Sequence, residues 1–295
     1  MTRRRFCAAL AAPLAVPQGS ILVHEHVLVD FGGTGRYDAG EVFRAARPKL
    51  EQVRNLGCRR LQDCTPNFLG RDPRLLARLA DAVGMEIWTN TGLYGAASHK
   101  YLPPYARDRS AAELARDWIA EAAGIDGVKP RFIKIGVNRA PLPELDRKLI
   151  RAAAIASRET GLTIASHTGD GLAAVEQLEI VGEESAPLNR FVWVHAHNEK
   201  DHSFHERVAR AGAWVEFDGV NAKSAAWHRE SVRFMAGRGL LGRTLVSQDS
   251  GWYRVGEPGG GDFRPYTYIY TDFLPGLDAA WVKTLMLTNP VEAFG

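Results

Sequence analysis

The sequence predicts an α/β protein folded as a single (β/α)8 barrel, and three observations predict it. Short runs rich in β-branched and aromatic residues recur along residues 20–295, segments with helical apolar spacing alternate with them, and no linker divides the chain. Eight strands matched by eight helices is the count of a closed parallel barrel, and a length of 295 residues suits one such domain. A doubly wound open sheet is the alternative that the same alternation allows.

The elements follow in order. Strands are predicted at Ile21 to Leu28, Cys58 to Thr65, Glu86 to Leu93, Phe132 to Asn138, Leu162 to Thr168, Phe191 to His197, Trp214 to Val220 and Thr244 to Ser250. Helices are predicted between and after them, at Gly40 to Leu56, Asp72 to Val83, Ala111 to Ala123, Leu142 to Thr160, Leu172 to Val181, His202 to Ala211, Ala225 to Arg238 and Leu277 to Phe294. Asp72-Pro73 sets a capping residue before a first-turn proline, and Gly57, Gly84, Gly161 and Gly212 each stand just past a helix. Two connections are long and aromatic. The third-strand loop, Tyr94 to Ser110, and the eighth-strand loop, Gly251 to Asp272, both leave strand C-terminal ends, where barrel sites form, and are read as substrate walls.

Composition excludes several classes. Hydrophobic residues make up 45% of the chain and charged ones 24%, which suits a large soluble core and leaves nothing that reads as disordered. Arg3, Arg4 and Arg5 account for the whole excess of 37 basic over 34 acidic residues, so the body carries no basic field for nucleic acid. No membrane insertion is expected, a small-molecule substrate is, and association as a homodimer stays open. Cys7, Cys58 and Cys64 are too few for a disulfide framework, and the strand period places Cys58 and Cys64 on one face as buried thiols. Residues 1–19 look like a leader. Thr2-Arg3-Arg4-Arg5-Phe6 followed by Cys7 to Val16 resembles a twin-arginine export signal, but the apolar run is short, Pro13 interrupts it and no clean cleavage site follows. Periplasmic and cytoplasmic locations both stay open, and residues 20–295 form the expected barrel domain.

Six metal-ligand side chains stand at or near strand C-terminal ends. His24 and His26 flank Glu25, so strand alternation sends both imidazoles to one side and the carboxylate to the other. Lys134 lies in the apolar run Phe132 to Gly136 and is directed inward, where an isolated ammonium is costly. A carboxylate partner relieves that cost; so does loss of the proton and reaction with carbon dioxide to give a carbamate that bridges two metals, the reading preferred beside five other ligand candidates. His167 and His195 close the fifth and sixth strands, and Asp249 closes the eighth, where a carboxylate can ligate a metal and accept a proton from water. His197 shares strand parity with His195. His195 is preferred as the ligand because it lies deeper in the strand, which leaves His197 as a residue that backs the ligands or faces substrate, or as a solvated loop histidine.

This set resembles the amidohydrolase superfamily. The phrases Asn90-Thr91-Gly92-Leu93-Tyr94, His167-Thr168-Gly169 and Leu245-Val246-Ser247-Gln248-Asp249 resemble its phosphotriesterase-like branch of phosphotriesterases and lactonases, over roughly residues 20–295. The resemblance implies a TIM barrel with a binuclear metal site at the C-terminal ends of its strands. His24, His26 and Asp249 would hold one ion, His167 and His195 the other, and a carboxylated Lys134 would bridge them. Zinc is the first choice of metal, with manganese, cobalt or iron as alternatives. The implied reaction is ester hydrolysis by a metal-bridging hydroxide, with Asp249, Lys134 and Tyr94 as catalytic residues and Tyr94, His197, Trp252 and Arg254 against substrate. A lactone or carboxylic ester is expected first, a phosphotriester second and an inactive metal-free binding barrel last. The segment Arg3 to Gly19 departs from the stretch that usually closes the barrel floor in such proteins.

Overall fold

The computed structural model describes residues 17–295. The twin-arginine-like residues and Cys7 to Val16 lie outside the described residues. Among the described residues no helix is long and apolar enough to cross a membrane.

All eight predicted strands form; the third is broken in two, and a further strand follows the eighth. The strands are β1 (Ser20–Val29), β2 (Cys58–Asp63), β3 (Glu86–Trp88), β4 (Asn90–Thr91), β5 (Phe132–Gly136), β6 (Thr163–His167), β7 (Phe191–Val194), β8 (Trp214–Phe217), β9 (Thr244–Val246) and β10 (Gly251–Arg254). Every pairing is parallel, in the orders β10-β1-β2-β3 and β4-β5-β6-β7-β8-β9. The third barrel strand changes partners at Thr89, so that β3 pairs with β2 and β4 with β5. The eighth, predicted as Thr244 to Ser250, ends as β9 at Val246 on β8, and the start of the predicted eighth-strand loop is a correction, since Gly251–Arg254 form β10 on β1. Between β9 and β10 the Asp249 N–H donates to the His24 carbonyl at 3.0 Å and the His26 N–H to the Ser250 carbonyl at 2.9 Å.

Seven helices take the predicted places: α1 (Ala39–Asn55), α2 (Pro73–Val83), α4 (Ala111–Ala122), α5 (Glu144–Thr160), α6 (Gly171–Glu183), α7 (His202–Arg210) and α8 (Ala225–Gly237). A four-residue turn, α3 (Tyr105–Asp108), interrupts the long third loop. The Asp72 carboxylate accepts the Leu75 N–H at 3.0 Å to start α2, and Gly84 ends it at φ 65, a conformation that costs a side-chain-bearing residue free energy. Ser110 and Glu113 form a reciprocal capping box on α4. The final predicted helix is a correction. It divides into α9 (Ala279–Lys283), a π turn over Thr284–Thr288 and α10 (Asn289–Phe294), because Pro290 has no N–H to continue the ladder.

Two apolar clusters result. The larger fills the space between sheet and helices, and the smaller plugs the barrel's lower end with Ile21, Val23, Phe132, Trp214, Leu245 and Phe294. Phe294 meets Phe132 edge-on at 5.9 Å, and the Thr163 hydroxyl donates to the Ala293 carbonyl, so α10 closes the barrel floor. Burying each such side chain stabilises the fold by about 1.5–3 kcal/mol. The cysteine reading needs correcting as well. Ser20 pairs with Cys58 and Ile21 with Arg60, so β2 carries an extra residue that reverses its alternation. Cys58 therefore packs among the outer cluster while Cys64 faces the interior.

Candidate metal centre

At the upper end of the barrel a cavity of about 220 Å³ has His26, Lys134, His167, His195 and Asp249 in its base. His24 lies immediately beneath, fully buried, with its ring 5.4 Å from His26 and 5.1 Å from His195. The His167 and His195 rings are 4.3 Å apart and perpendicular. Two donor sets are close enough for one ion each: His24, His26 and Asp249, and His24, His195 and Asp218.

Three of the histidines are held by their Nδ1 atoms. His26 Nδ1 donates to the Thr65 hydroxyl at 2.9 Å, which itself donates to the Leu28 carbonyl, so the other face of the ring, Nε2, points at Asp249 Oδ1 from 3.2 Å. His195 Nδ1 donates to Asp218 Oδ1 at 2.6 Å. His24 Nδ1 lies 2.9 Å from Glu216 Oε1 and 3.2 Å from Asp218 Oδ2. With each Nδ1 turned outward, each Nε2 faces the interior, the arrangement that orients imidazole as a metal ligand. Burial lowers His24 to about 4 and His167 well below its usual range, so both stay neutral at physiological pH.

Asp218 was absent from the sequence reading. Along β8 the run Trp214-Val215-Glu216-Phe217-Asp218 sets two carboxylates on alternate positions of an apolar strand, and that was the signal available. Asp218 also takes the His195 backbone N–H at 2.9 Å. Burial pushes its carboxyl up, but the His195 and His24 rings outweigh that and hold it well below its ordinary value. Burial and the neighbouring Asp218 push Glu216 the other way, well above.

Asp249 sits at φ 51, and His195 at φ 65. A left-handed φ on a side-chain-bearing residue costs about 1–2 kcal/mol, so surrounding bonds must impose it. For Asp249 the clamp is Glu25, the outward-facing residue between the two histidines. Its carboxylate accepts the Ser247 hydroxyl at 2.9 Å, the Gln248 N–H at 3.1 Å and the Ser250 N–H at 2.7 Å, which brackets Asp249 on both sides. Trp252 Nε1 and Arg264 donate to the Asp249 carbonyl at 2.7 and 2.8 Å. Burial raises the Asp249 carboxyl, yet the imidazoles of His26, His24 and His195 pull it down to about 2.

Lys134 is 2% exposed, and its Nζ has no hydrogen-bond partner among the described residues. Unpaired polar atoms are expensive inside a fold unless a ligand satisfies them. Four imidazoles, a carboxylate and an amine converging on one cavity are the donor chemistry that divalent zinc, manganese, cobalt or iron takes.

The remaining predicted residues divide. Tyr94 lines the cavity with its hydroxyl 3.2 Å from His167 Nδ1, and Gly136 leaves the space its ring fills. Trp252 lines it too, its ring 4.0 Å from His26 and stacked on Phe31 at 5.7 Å. Two residues lie elsewhere. Arg254 is turned to the rim, where it pairs with Glu257 at 3.5 Å. His197 packs over Gly219 with Nδ1 3.3 Å from Asp218. The parity argument relating His197 to His195 fails physically, because β7 ends at Val194 and a 3-10 turn, Ala196–Asn198, begins directly after His195.

The profile of the phosphotriesterase family matches residues 11–294. This chain belongs to the phosphotriesterase family. The family depends on a binuclear metal centre, and the histidines and Asp249 at the mouth of this barrel are the matching candidate ligands. A phosphotriesterase homology protein of Escherichia coli is 26% identical over 292 residues, spanning 94% of this chain and 98% of the relative. An aryldialkylphosphatase of Saccharolobus solfataricus is 30% identical over 210 residues, 68% of this chain and 66% of the relative. Among solved structures, a mutant organophosphorus hydrolase from Deinococcus radiodurans superposes with a TM-score of 0.84 at 26% identity, covering 95% of this chain and 94% of its own.

Proposed function

We propose that this member of the phosphotriesterase family is a metal-dependent hydrolase whose substrate is a small uncharged ester, a lactone or simple carboxylic ester before a phosphotriester. The cavity carries the reading. Apart from Lys134 and Asp249 in its base, its walls among the described residues are Val29, Phe31, Leu69, Tyr101, Trp252 and other uncharged side chains, with no free cation among those residues to receive a charged substrate.

Two divalent ions, zinc first, would polarise the scissile carbonyl or phosphoryl oxygen and bring the pKa of bound water toward about 7. His24, His26 and Asp249 are the ligands proposed for one ion and His167 and His195 for the other. Lys134 is proposed to react as the neutral amine with carbon dioxide: its Nζ attacks the carbon, the Nζ proton is released to solvent, and the resulting carbamate presents two oxygens sharing one negative charge where the amine has no partner among the described residues. Asp249, held ionised, accepts the proton that the attacking water gives up. Burial pushes Tyr94 up, so its hydroxyl stays protonated and donates to the oxyanion that develops on the substrate. Trp252 and Phe31 exclude water from the reacting bond.

A phosphotriester is the second reading because relatives and structural neighbours are described as aryldialkylphosphatase and organophosphorus hydrolase. A screen of lactones, aryl esters and phosphotriesters on zinc-, manganese- and cobalt-loaded protein tests the assignment. Lactone or ester turnover that exceeds phosphotriester turnover and disappears with a chelator is expected. A phosphotriester preference reverses the order of substrates, and chelator-insensitive turnover removes the metal mechanism.

A further inference from the structure

Behind the metal-ligand turn lie two histidines that the hydrolytic mechanism does not use. His205, on α7, is fully buried between Trp193 at 5.2 Å and Phe217 at 5.0 Å. Its Nε2 lies 2.8 Å from the Ala196 carbonyl, and its Nδ1 lies 2.9 Å from His202 Nδ1. His202, at the start of α7, is stacked between Trp227 at 4.8 Å and Phe234 at 4.4 Å.

The hydrogen bonds fix both tautomers. A carbonyl only accepts, so the proton of His205 is on Nε2 and its Nδ1 is a lone pair; the proton between the two rings then belongs to His202 Nδ1. Burial lowers His205 to about 4, in keeping with a neutral ring. The turn so reached is the one that sets His195. Three successive carbonyls are each claimed: His195 by the Asn198 N–H at 3.0 Å, Ala196 by the Glu199 N–H at 3.1 Å as well as His205, and His197 by Trp227 Nε1 at 2.8 Å and Lys200 Nζ at 2.9 Å. Of these donors only His205 reaches the turn from inside the core. It meets the carbonyl next to the residue whose φ is 65.

We infer that His205 is a positioning residue: backed by His202, it holds the Ala196 carbonyl and thereby keeps the His195 imidazole aimed at the metal centre. The inference rests on the reading of His195 as a ligand. A hydrocarbon in place of His205 would leave the Ala196 carbonyl to the Glu199 N–H and His195 tethered from the core by Asp218 alone, so that the His195 ring would sample a wider range of orientations.

The test uses the full chain with cobalt(II) as the probe metal and ¹⁵N imidazole NMR on the metal-free protein. Expected in the parent are a proton on His205 Nε2 and on His202 Nδ1. His205→Leu should shift the His195 imidazole signals and speed cobalt release to a chelator about 10-fold, the low end for outer partners of a ligand. His205→Gln, which keeps an N–H near the position of Nε2, should restore release to within about threefold. Should His205→Leu fail to fold, His205→Phe keeps an aromatic ring between Trp193 and Phe217 and removes the Nε2–H donor, and the His195 signals should again shift. Unchanged His195 signals in these variants, or equal cobalt release from His205→Leu and parent, overturn the proposal. A parent that takes up no cobalt overturns the metal reading instead, while the His195 signals still decide the role of His205.

Discussion

Replacing Asp218 with Asn keeps the shape of the side chain and removes one of its two acceptor oxygens, which the surrounding contacts cannot spare. Oδ1 takes the His195 ring at 2.6 Å, and Oδ2 takes the His195 backbone N–H at 2.9 Å and faces His24 Nδ1 at 3.2 Å. If the amide oxygen serves the His195 ring, its NH2 confronts a buried backbone N–H, which is left unpaired at a cost of about 1–3 kcal/mol. If it serves the backbone instead, a charge-assisted bond worth about 1.5–3 kcal/mol is lost and the His195 ring is released. Either way Asp218→Asn should lower unfolding free energy by roughly 2 kcal/mol in urea titration of the metal-free protein. The loaded protein should bind metal about 10- to 100-fold more weakly in chelator competition, because two histidines lose their orienting partner. Wild-type metal affinity together with an unchanged urea midpoint would refute the assignment of Asp218 as the group that aims these rings.

Lys134→Ala should lose most bound metal and activity and recover part of both in added short-chain carboxylate; full activity without such rescue excludes the carbamate. For Tyr94→Phe, steady-state kinetics should show kcat reduced about 10- to 100-fold with KM within about threefold, as expected for a donor used by the transition state. An unchanged kcat would remove Tyr94 from the chemistry. Glu25 gives a pH test. Burial raises its carboxyl from 4.5 to about 8, against the pull of its three donors. The fold thus binds that proton more tightly than the unfolded chain does. The associated stability is complete below about pH 4.5 and is lost as pH rises to about 8, on the order of a few kcal/mol. Glu25→Gln cannot titrate, so the urea stability of the parent relative to this variant should fall between pH 5 and 8; a flat difference would show that Glu25 is ionised throughout.

The barrel was legible because burial on both faces writes each parallel strand as a short apolar run and each helix as a stripe of period 3.6. All eight strand positions follow from that pattern. Their upper ends do not. Phe191 to His197 was read as one strand, yet β7 stops at Val194, and Thr244 to Ser250 stops as β9 at Val246. Beyond those points His195 and Asp249 take left-handed backbone geometry that no local propensity favours; Asp218, Glu25 and the loop carbonyl contacts impose it from distant segments. Strand parity is therefore sound inside the barrel and misleading at its rim: His197 lies in a 3-10 turn rather than a strand, and it is that turn which sets His195 in the cavity and His197 against Asp218. The extra residue in β2 separated Cys58 from Cys64 for a related reason, since a bulge is set by the register with β1. Asp218 and Glu216 were readable as alternating carboxylates in an apolar strand. Arg254 was not placeable, because pairing of β10 with β1 turns it toward Glu257 at the rim.

Metal content measured by elemental analysis on gently purified protein tests the central claim most directly. The site should hold two divalent ions per chain, with hydrolysis lost on chelation and regained on reloading. Less than one tightly bound ion per chain, with hydrolysis indifferent to chelator, would contradict it.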